Sequence, residues 1–532
     1  MEQVRREEAR EGTRFHNGRI YTLDRSGTVA QAVAAWGGWI VGVGSDAQIR
    51  AAFSRFRAVD LAGGVAFPGF TDSHVHFAAF GLSLRTVNLE GAASLREAVA
   101  RVAQAVAAAK PGTWVWGRGW NKNVWPEGRS PRKEDLDPIS PSNPVALTSK
   151  DGHLVWCNSL ALTRAGVTAD TGDPPGGQIE RADGLPTGIL KEEAKVFVSR
   201  VLPPPGDEEV ESAILQALPL AHAAGITGIH DVEDSRVFGA FQRLHRDGRL
   251  SLRVVMGIPE QDADAAIRLG VRSGLGDQTL RVGFVKIFSD GTLGSQTASL
   301  LEPYEGQPDN VGIATRTQNE LQVLVRRTSE AGLACAVHAI GDRANRWVLD
   351  AFEAAQPAAR RFGLRQRIEH AQLLHPDDIG RFARIGVVAS MQPIHCTSDR
   401  DTADRYWGRR ARYAYAFRSL TDAGAVLAFG SDAPVETLDV LRGLHAAVFR
   451  RDPHDGRDPW YPQEALTVEE ALRAYTNGAA YASGEEHVKG SLEEGKVCDL
   501  TVLDHDIVRD PSSLAHARVR MTVVGGQVVF SR

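Results

Sequence analysis

A chain of 532 residues is too long for one small core and predicts two or three domains. Its 43% apolar and 24% charged content is that of a folded protein in water, and a net charge of −5 gives no basis for nucleic acid as a partner. No apolar run is long enough to span a bilayer, the charged opening Met1–Glu8 has no secretory h-region, and Cys157, Cys335, Cys396 and Cys498 form no CxxC pair; a reduced, cytoplasmic protein is expected.

Residues from about 13 to 62 read as a small β module, in which Ala30–Trp36 and Trp39–Val43 flank the hairpin signal Gly37-Gly38. The C-terminus repeats the idiom: Cys498–Asp504 reads as a strand, and Met521–Val524 and Gln527–Phe530 flank Gly525-Gly526. Neither end is large enough for its own core, so 1–64 and 485–532 are predicted to join into one composite β-sandwich. Between them, across 65–484, apolar strand-like runs alternate with amphipathic helical stretches. The runs lie near 65–70, 225–231, 252–258, 281–288, 333–338, 366–370, 386–391 and 425–431. Eight such units predict an α/β fold, a (β/α)8 TIM barrel.

Residues of about 110–205 are too long for a plain connection and read as a subdomain inserted after the first barrel strand, above the barrel mouth. This stretch holds Trp114, Trp116, Trp120, Trp125 and Trp156 of the ten tryptophans, which suit either an apolar pocket or the packing of the insertion. A second long segment, 392–418, with Arg409, Arg410, Arg412 and Tyr413, reads as a lid.

The chemistry starts in Phe67-Pro68-Gly69-Phe70-Thr71-Asp72-Ser73-His74-Val75-His76. On an extended chain His74 and His76 share a face, and two neutral imidazoles make half of a metal site. Lys286 interrupts the apolar run Phe284–Phe288, His338 ends one strand, His370 ends the next, and Asp432 follows Phe429-Gly430-Ser431. Residues at the C-terminal ends of barrel strands converge on one face. Each has an ordinary structural alternative, a capping histidine or a turn aspartate, but six at corresponding strand ends point to a metal site. Lys286, between apolar neighbours, carries a large burial cost unless modified or paired. His222 and His230 read as hydrogen-bonded core histidines, and Glu369, facing away from His370, as structural. No GxSxG elbow is present and no cysteine sits in a nucleophile motif.

In this order the motifs resemble the amidohydrolase superfamily of metal-dependent hydrolases. Val285–Ser295, His338–Ala344 and Arg367–Gln372 resemble its YtcJ-like branch, which includes N-substituted formamide deformylases. The resemblance covers nearly the whole chain. It implies that His74, His76 and Asp432 hold one divalent metal, that His338 and His370 hold a second, and that Lys286 bridges them as an N6-carboxylated lysine. One metal with unmodified Lys286 is the alternative. Zinc suits imidazole and carboxylate ligands, and such ions acidify a water and polarise a carbonyl, with Asp432 as general base and acid. The implied function is hydrolysis of an amide-type C–N bond in a small, N-substituted formamide-like or aromatic substrate. The alternatives are a lactonase, esterase or other reaction on the same site, or a non-catalytic scaffold. His153, in Asp151-Gly152-His153, reads as a substrate contact or as part of a polar turn. Asp290 reads as orienting a ligand or substrate from a mouth loop, and His395 as a substrate contact ending the seventh strand. Expected partners are a small-molecule substrate and a second copy in a homodimer, with neither nucleic acid nor membrane.

Overall fold

The chain is described by a computed structural model covering residues 12–202 and 205–532; the opening stretch Met1–Glu8 lies outside the described residues. Eight strands form the central sheet: β1 (Phe70–Val75), β2 (Ile226–Asp231), β3 (Arg253–Pro259), β4 (Leu280–Phe288), β5 (Ala334–Ala339), β6 (Arg367–His370), β7 (Val388–Met391) and β8 (Leu427–Phe429). Consecutive strands pair in parallel from β1 to β8. Helices cover the outside, so most strand positions are buried on both faces, which is why these segments read as apolar runs rather than alternations. The sheet curls until the end of β8 meets β1. The Asp432 N–H donates to the His74 carbonyl at 2.8 Å, and the Ser431 N–H to the Asp72 carboxylate at 2.8 Å. The result is the predicted eight-stranded barrel.

At this seam Gly430 packs against the β1 backbone so closely that a Cβ would lie 2.5 Å from the His74 nitrogen and 2.7 Å from an Asp72 carboxylate oxygen. Backbone cannot yield cheaply there. Gly430→Ala is therefore expected to lower stability by about 1–3 kcal/mol and to displace Asp432. Denaturant unfolding and metal content would check this, and unchanged values for both would contradict the tight seam.

The first barrel strand differs from the expected one. Val65–Pro68 belongs to the outer β domain, where it pairs antiparallel with Leu500–Leu503 and parallel with Arg19–Tyr21. The chain crosses between layers at Gly69, whose N–H donates to the Asp499 carbonyl and where a Cβ would clash with Thr227. Apolar character continues through both layers, so hydrophobicity alone did not reveal the crossing. The two chain ends do combine. A four-stranded sheet from the N-terminal segment and a six-stranded sheet shared with residues 500–531 enclose Phe15, Ile20, Val33, Leu500, Val502 and Val523.

The inserted subdomain begins earlier than predicted. Its six-stranded sheet starts with Val87–Asn88 and ends with Leu185–Glu192, and the helix Leu95–Ala108 packs on it. The barrel pattern resumes with the helix Asp207–Ala223, which lies against Phe77–Ser83. Trp120, Trp125 and Trp156 pack on one another with ring centroids 6.1–6.4 Å apart. Their indole N–H groups donate to the carbonyls of Leu147, Ala92 and Arg132. Packing of the insertion thus accounts for these three, and Trp120 also reaches the cavity below. Segment 392–418 folds into short helices that bury Trp407 and Ala411 and form a packed wall of the mouth. Among the described residues, no helix is long and apolar enough to cross a membrane, and the four cysteines are buried and not joined by disulfides.

Candidate metal centre

β1 carries His74 into the barrel mouth at 1% exposure, and His76 follows one residue beyond the strand. Their Nε2 atoms lie 3.6 and 3.4 Å from Asp432 Oδ1, and among the described residues these three side chains form a cluster able to hold a metal ion. Burial alone would raise the Asp432 carboxyl, but its contacts with His395 and His76, ahead of His74 and His370, hold it well below the ordinary carboxylate range. Asp432 and His370 have φ of 59° and 74°, a left-handed backbone uncommon outside glycine. Two strained positions among the expected ligands mark where function overrides local preference.

His338 and His370 stand beside the cluster, with rings 4.7 Å apart and the His370 ring 4.8 Å from that of His74. Each buried imidazole has one nitrogen engaged. His74 Nδ1 meets Glu369 Oε2 at 2.5 Å, His370 Nδ1 meets Gln392 Oε1 at 2.7 Å, and His338 Nε2 meets the Gly291 carbonyl at 3.1 Å. These contacts leave His74 Nε2, His370 Nε2 and His338 Nδ1 as lone-pair donors. Burial, then the Lys286 charge, pushes His74 down to about 4 and His338 to about 3; burial and His338 drive His370 well below its ordinary value. All three are neutral, the form that binds a metal.

Lys286 is 4% exposed and its ammonium has no hydrogen-bond or ion-pair partner among the described residues; the Phe288 ring lies 4.9 Å away. Burial lowers its pKa to about 8. An unpartnered buried amine amid three neutral imidazoles and an ionised carboxylate is a donor set that fits divalent metal.

Glu369 requires a correction. It is fully buried and, besides holding His74, it accepts hydrogen bonds from Arg367 Nε at 2.7 Å and Ser390 Oγ at 2.7 Å. Arg367 and Glu369 share the inward face of β6 at i, i+2. His370 turns to the mouth as well because its left-handed backbone breaks the alternation. The sequence signal for this role is a pair of charged residues two apart, Arg367 and Glu369, in an otherwise buried strand. His230 is the core histidine expected, with Nδ1 2.7 Å from Arg367, and His222 likewise meets Ser251 Oγ at 2.9 Å.

Asp290 departs from the expected substrate contact but not from the alternative that it orients a ligand. Its carboxylate accepts from the N–H groups of Ser299, Ile340 and Gly341 at 2.9–3.0 Å, so it ties the loop after β4 to the end of β5 and does not line the cavity. Its Oδ1 lies 3.6 Å from His338 Nε2, which makes it a support for that imidazole. His395 lines the cavity, but it opens the short helix His395–Ser398 rather than ending β7. Its Nε2 is 3.6 Å from Asp432 Oδ2. His153 lines the cavity and pairs with Glu192 at 2.7 Å. Glu192 accepts from Thr297 and Asp151 from Ser295, both at 2.8 Å, which docks the insertion on the loop after β4 and roofs the site. Asn158 supports the insertion from inside, bridging Val145, Ala161 and Ser140. The cavity at the mouth measures about 390 Å³, the size of a small-molecule site.

A barrel that gathers four imidazoles, a carboxylate and a lone amine at the C-terminal ends of its strands belongs to the class of metal-site barrels. A family model described as "Amidohydrolase family" matches residues 57–530, and the chain belongs to that family. It is 34% identical over 532 residues to the putative amidohydrolase YtcJ of Bacillus subtilis (strain 168), covering 97% of this chain and 99% of that protein. It is 30% identical over 537 residues to the N-substituted formamide deformylase of Arthrobacter pascens, covering 97% and 98%. Among solved structures, an uncharacterized metal-dependent hydrolase from Pyrococcus horikoshii OT3 matches with a TM-score of 0.77 at 28% identity, covering 94% of this chain and 98% of that one.

Proposed function

We propose that the chain is a metal-dependent hydrolase that opens an amide-type C–N bond in a small molecule, with N-substituted formamides as the leading substrates. The observation that carries this reading is the approach of two imidazole Nε2 atoms to one ionised carboxylate, at 3.6 and 3.4 Å, in the cavity at the barrel mouth. The likeness to a formamide deformylase over nearly the whole chain supports the C–N bond class.

His74, His76 and Asp432 would hold one divalent ion, zinc first by ligand type, and His338 and His370 a second. Lys286 would bridge them as a carbamate. An amine whose burial lowers its pKa to about 8 has the neutral form that reacts with carbon dioxide. When bound, the ions supply polarisation of the substrate carbonyl and an acidified water. Asp432, whose pKa is held low, would take a proton during attack and return it to the leaving amine. His395, beside the second carboxylate oxygen, steadies Asp432 while its protonation changes. The insertion, held by the bonds of Asp151 and Glu192, covers one side of the site and would limit its contact with bulk water. The buried thiols, free of disulfides, support a reducing, cytoplasmic setting.

Zinc-loaded protein is expected to release amine and formate from members of a panel of N-alkyl and N-aryl formamides. Dialysis against a chelator should abolish the release, and added zinc should restore it. Full metal occupancy without turnover of formamides or other amides would remove the C–N reading. Failure to bind any divalent ion after reconstitution would remove the hydrolytic one.

A further inference from the structure

The charged groups of the cavity outside the metal cluster are nearly all answered by a partner. Glu436 pairs with Lys150 at 2.7 Å, and Asp151 accepts from Ser149 and Ser295. Asp399 accepts from the Tyr415 hydroxyl at 2.6 Å, and His153 faces Glu192. Two ammonium groups on the insertion side of the cavity have no carboxylate within ion-pair distance among the described residues. Lys195 Nζ donates to the Gly152 carbonyl at 2.7 Å, and Lys122 Nζ makes neither a hydrogen bond nor an ion pair.

Lys122 is not a loose surface lysine. It opens the turn Lys122–Val124, which the Asn121 side chain caps by accepting from the Asn123 N–H at 3.0 Å. The flanking Trp120 and Trp125 are anchored in the core of the insertion. The lysine is half-buried, and burial followed by the nearby Lys191 charge lowers its pKa. Glu180 and Asp151 act on this ammonium only from beyond ion-pair distance, and a partly desolvated ammonium without a contact partner is costly to keep unless a ligand supplies the anion. Phe288, 44% exposed, and Leu293 add apolar surface to the same cavity.

We infer that the substrate carries, besides its scissile bond, a carboxylate that Lys122 binds from the insertion wall, with Lys195 as the second cation. The inference rests on the amidohydrolase reading for the scissile bond and adds the substituent. A monoanion is favoured over a phosphate dianion because Asp151 and Asp399, whose hydrogen-bond partners are uncharged, line the same cavity and would repel the second charge.

The test uses the metal-loaded full chain with hydrocinnamate and its neutral counterpart, hydrocinnamyl alcohol, neither of which contains a C–N bond. Calorimetry on the wild type should show the carboxylate binding about tenfold tighter, as one charge-assisted hydrogen bond provides. Lys122→Met should bring the two ligands close to parity, and Lys122→Arg should keep most of the preference. The exposed, remote Lys110→Met should keep all of it. Equal binding by the wild type would overturn the inference. So would a preference that survives Lys122→Met, because the carboxylate would then be held by the metals or by Lys195 and not by Lys122. A second arm compares turnover of N-formylphenylalanine and its carboxamide. If these and the wider panel of formamides and amides are not cleaved while the Lys122-dependent preference stands, the C–N reading fails and the anion site remains.

Discussion

Asp432→Asn is expected to give a folded protein that binds less than the wild-type complement of divalent metal and turns over at least about a thousandfold more slowly. The substitution keeps shape and removes charge. An amide oxygen is a weaker ligand than a carboxylate, its NH2 group is poorly matched to the metal-facing nitrogens of His74 and His76, and it cannot carry the proton from water to amine. The fold should survive because asparagine tolerates the left-handed φ of 59° at this position better than most residues. Elemental analysis, thermal unfolding and an amine-release assay on the same preparation separate the three effects. A variant with full metal content and wild-type turnover would exclude Asp432 from both roles.

Arg367→Met is expected to destabilise the protein by about 3–5 kcal/mol, the consequence of leaving a buried charge without its partner. The Arg367 guanidinium is fully buried in the barrel, donating to Glu369 Oε1 at 2.7 Å, to Ser390 Oγ at 2.8 Å and to the Ser73 carbonyl, over the Phe284 ring at 4.7 Å. Without it the Glu369 carboxylate faces the barrel interior with only His74 and Ser390. Glu369→Gln alone should cost less stability but weaken metal binding by about 10–100-fold, because the group that fixes the tautomer and orientation of His74 is lost. The double variant, neutral at both positions, should recover part of the stability lost in Arg367→Met. Denaturant midpoints and a metal competition titration measure both quantities. A wild-type midpoint for Arg367→Met would show that Glu369 is compensated by other groups, and an unchanged metal affinity for Glu369→Gln would remove its hold on His74.

Much of this architecture is written locally. The runs at 281–288 and 425–431 announce β4 and β8, and the i, i+2 spacing of His74 and His76 puts both imidazoles on one side of an extended chain. Lys286, His338, His370 and Asp432 were legible because a polar residue at the end of an apolar strand has a predictable destination in a barrel, its C-terminal mouth. The glycine pairs Gly37-Gly38 and Gly525-Gly526 likewise specify their hairpins, since all four residues take positive φ.

Other features depend on who meets whom after the chain closes. Phe67 and Phe70 are equally apolar and equally buried, yet they serve different sheets, and only the crossing at Gly69 separates them. The span of the insertion, the inward address of Glu369 and the lack of a contact partner for Lys122 are of the same kind. Periodicity states which face of a strand is buried but not what will lie opposite. Glu369 finds His74 across 295 residues and Ser431 finds Asp72 across 359, and both contacts exist only because β8 returns to β1. Local pattern thus specifies the elements and the residues at their ends. Barrel closure decides which of those residues become ligands, which become supports, and which charges are left for a substrate to answer.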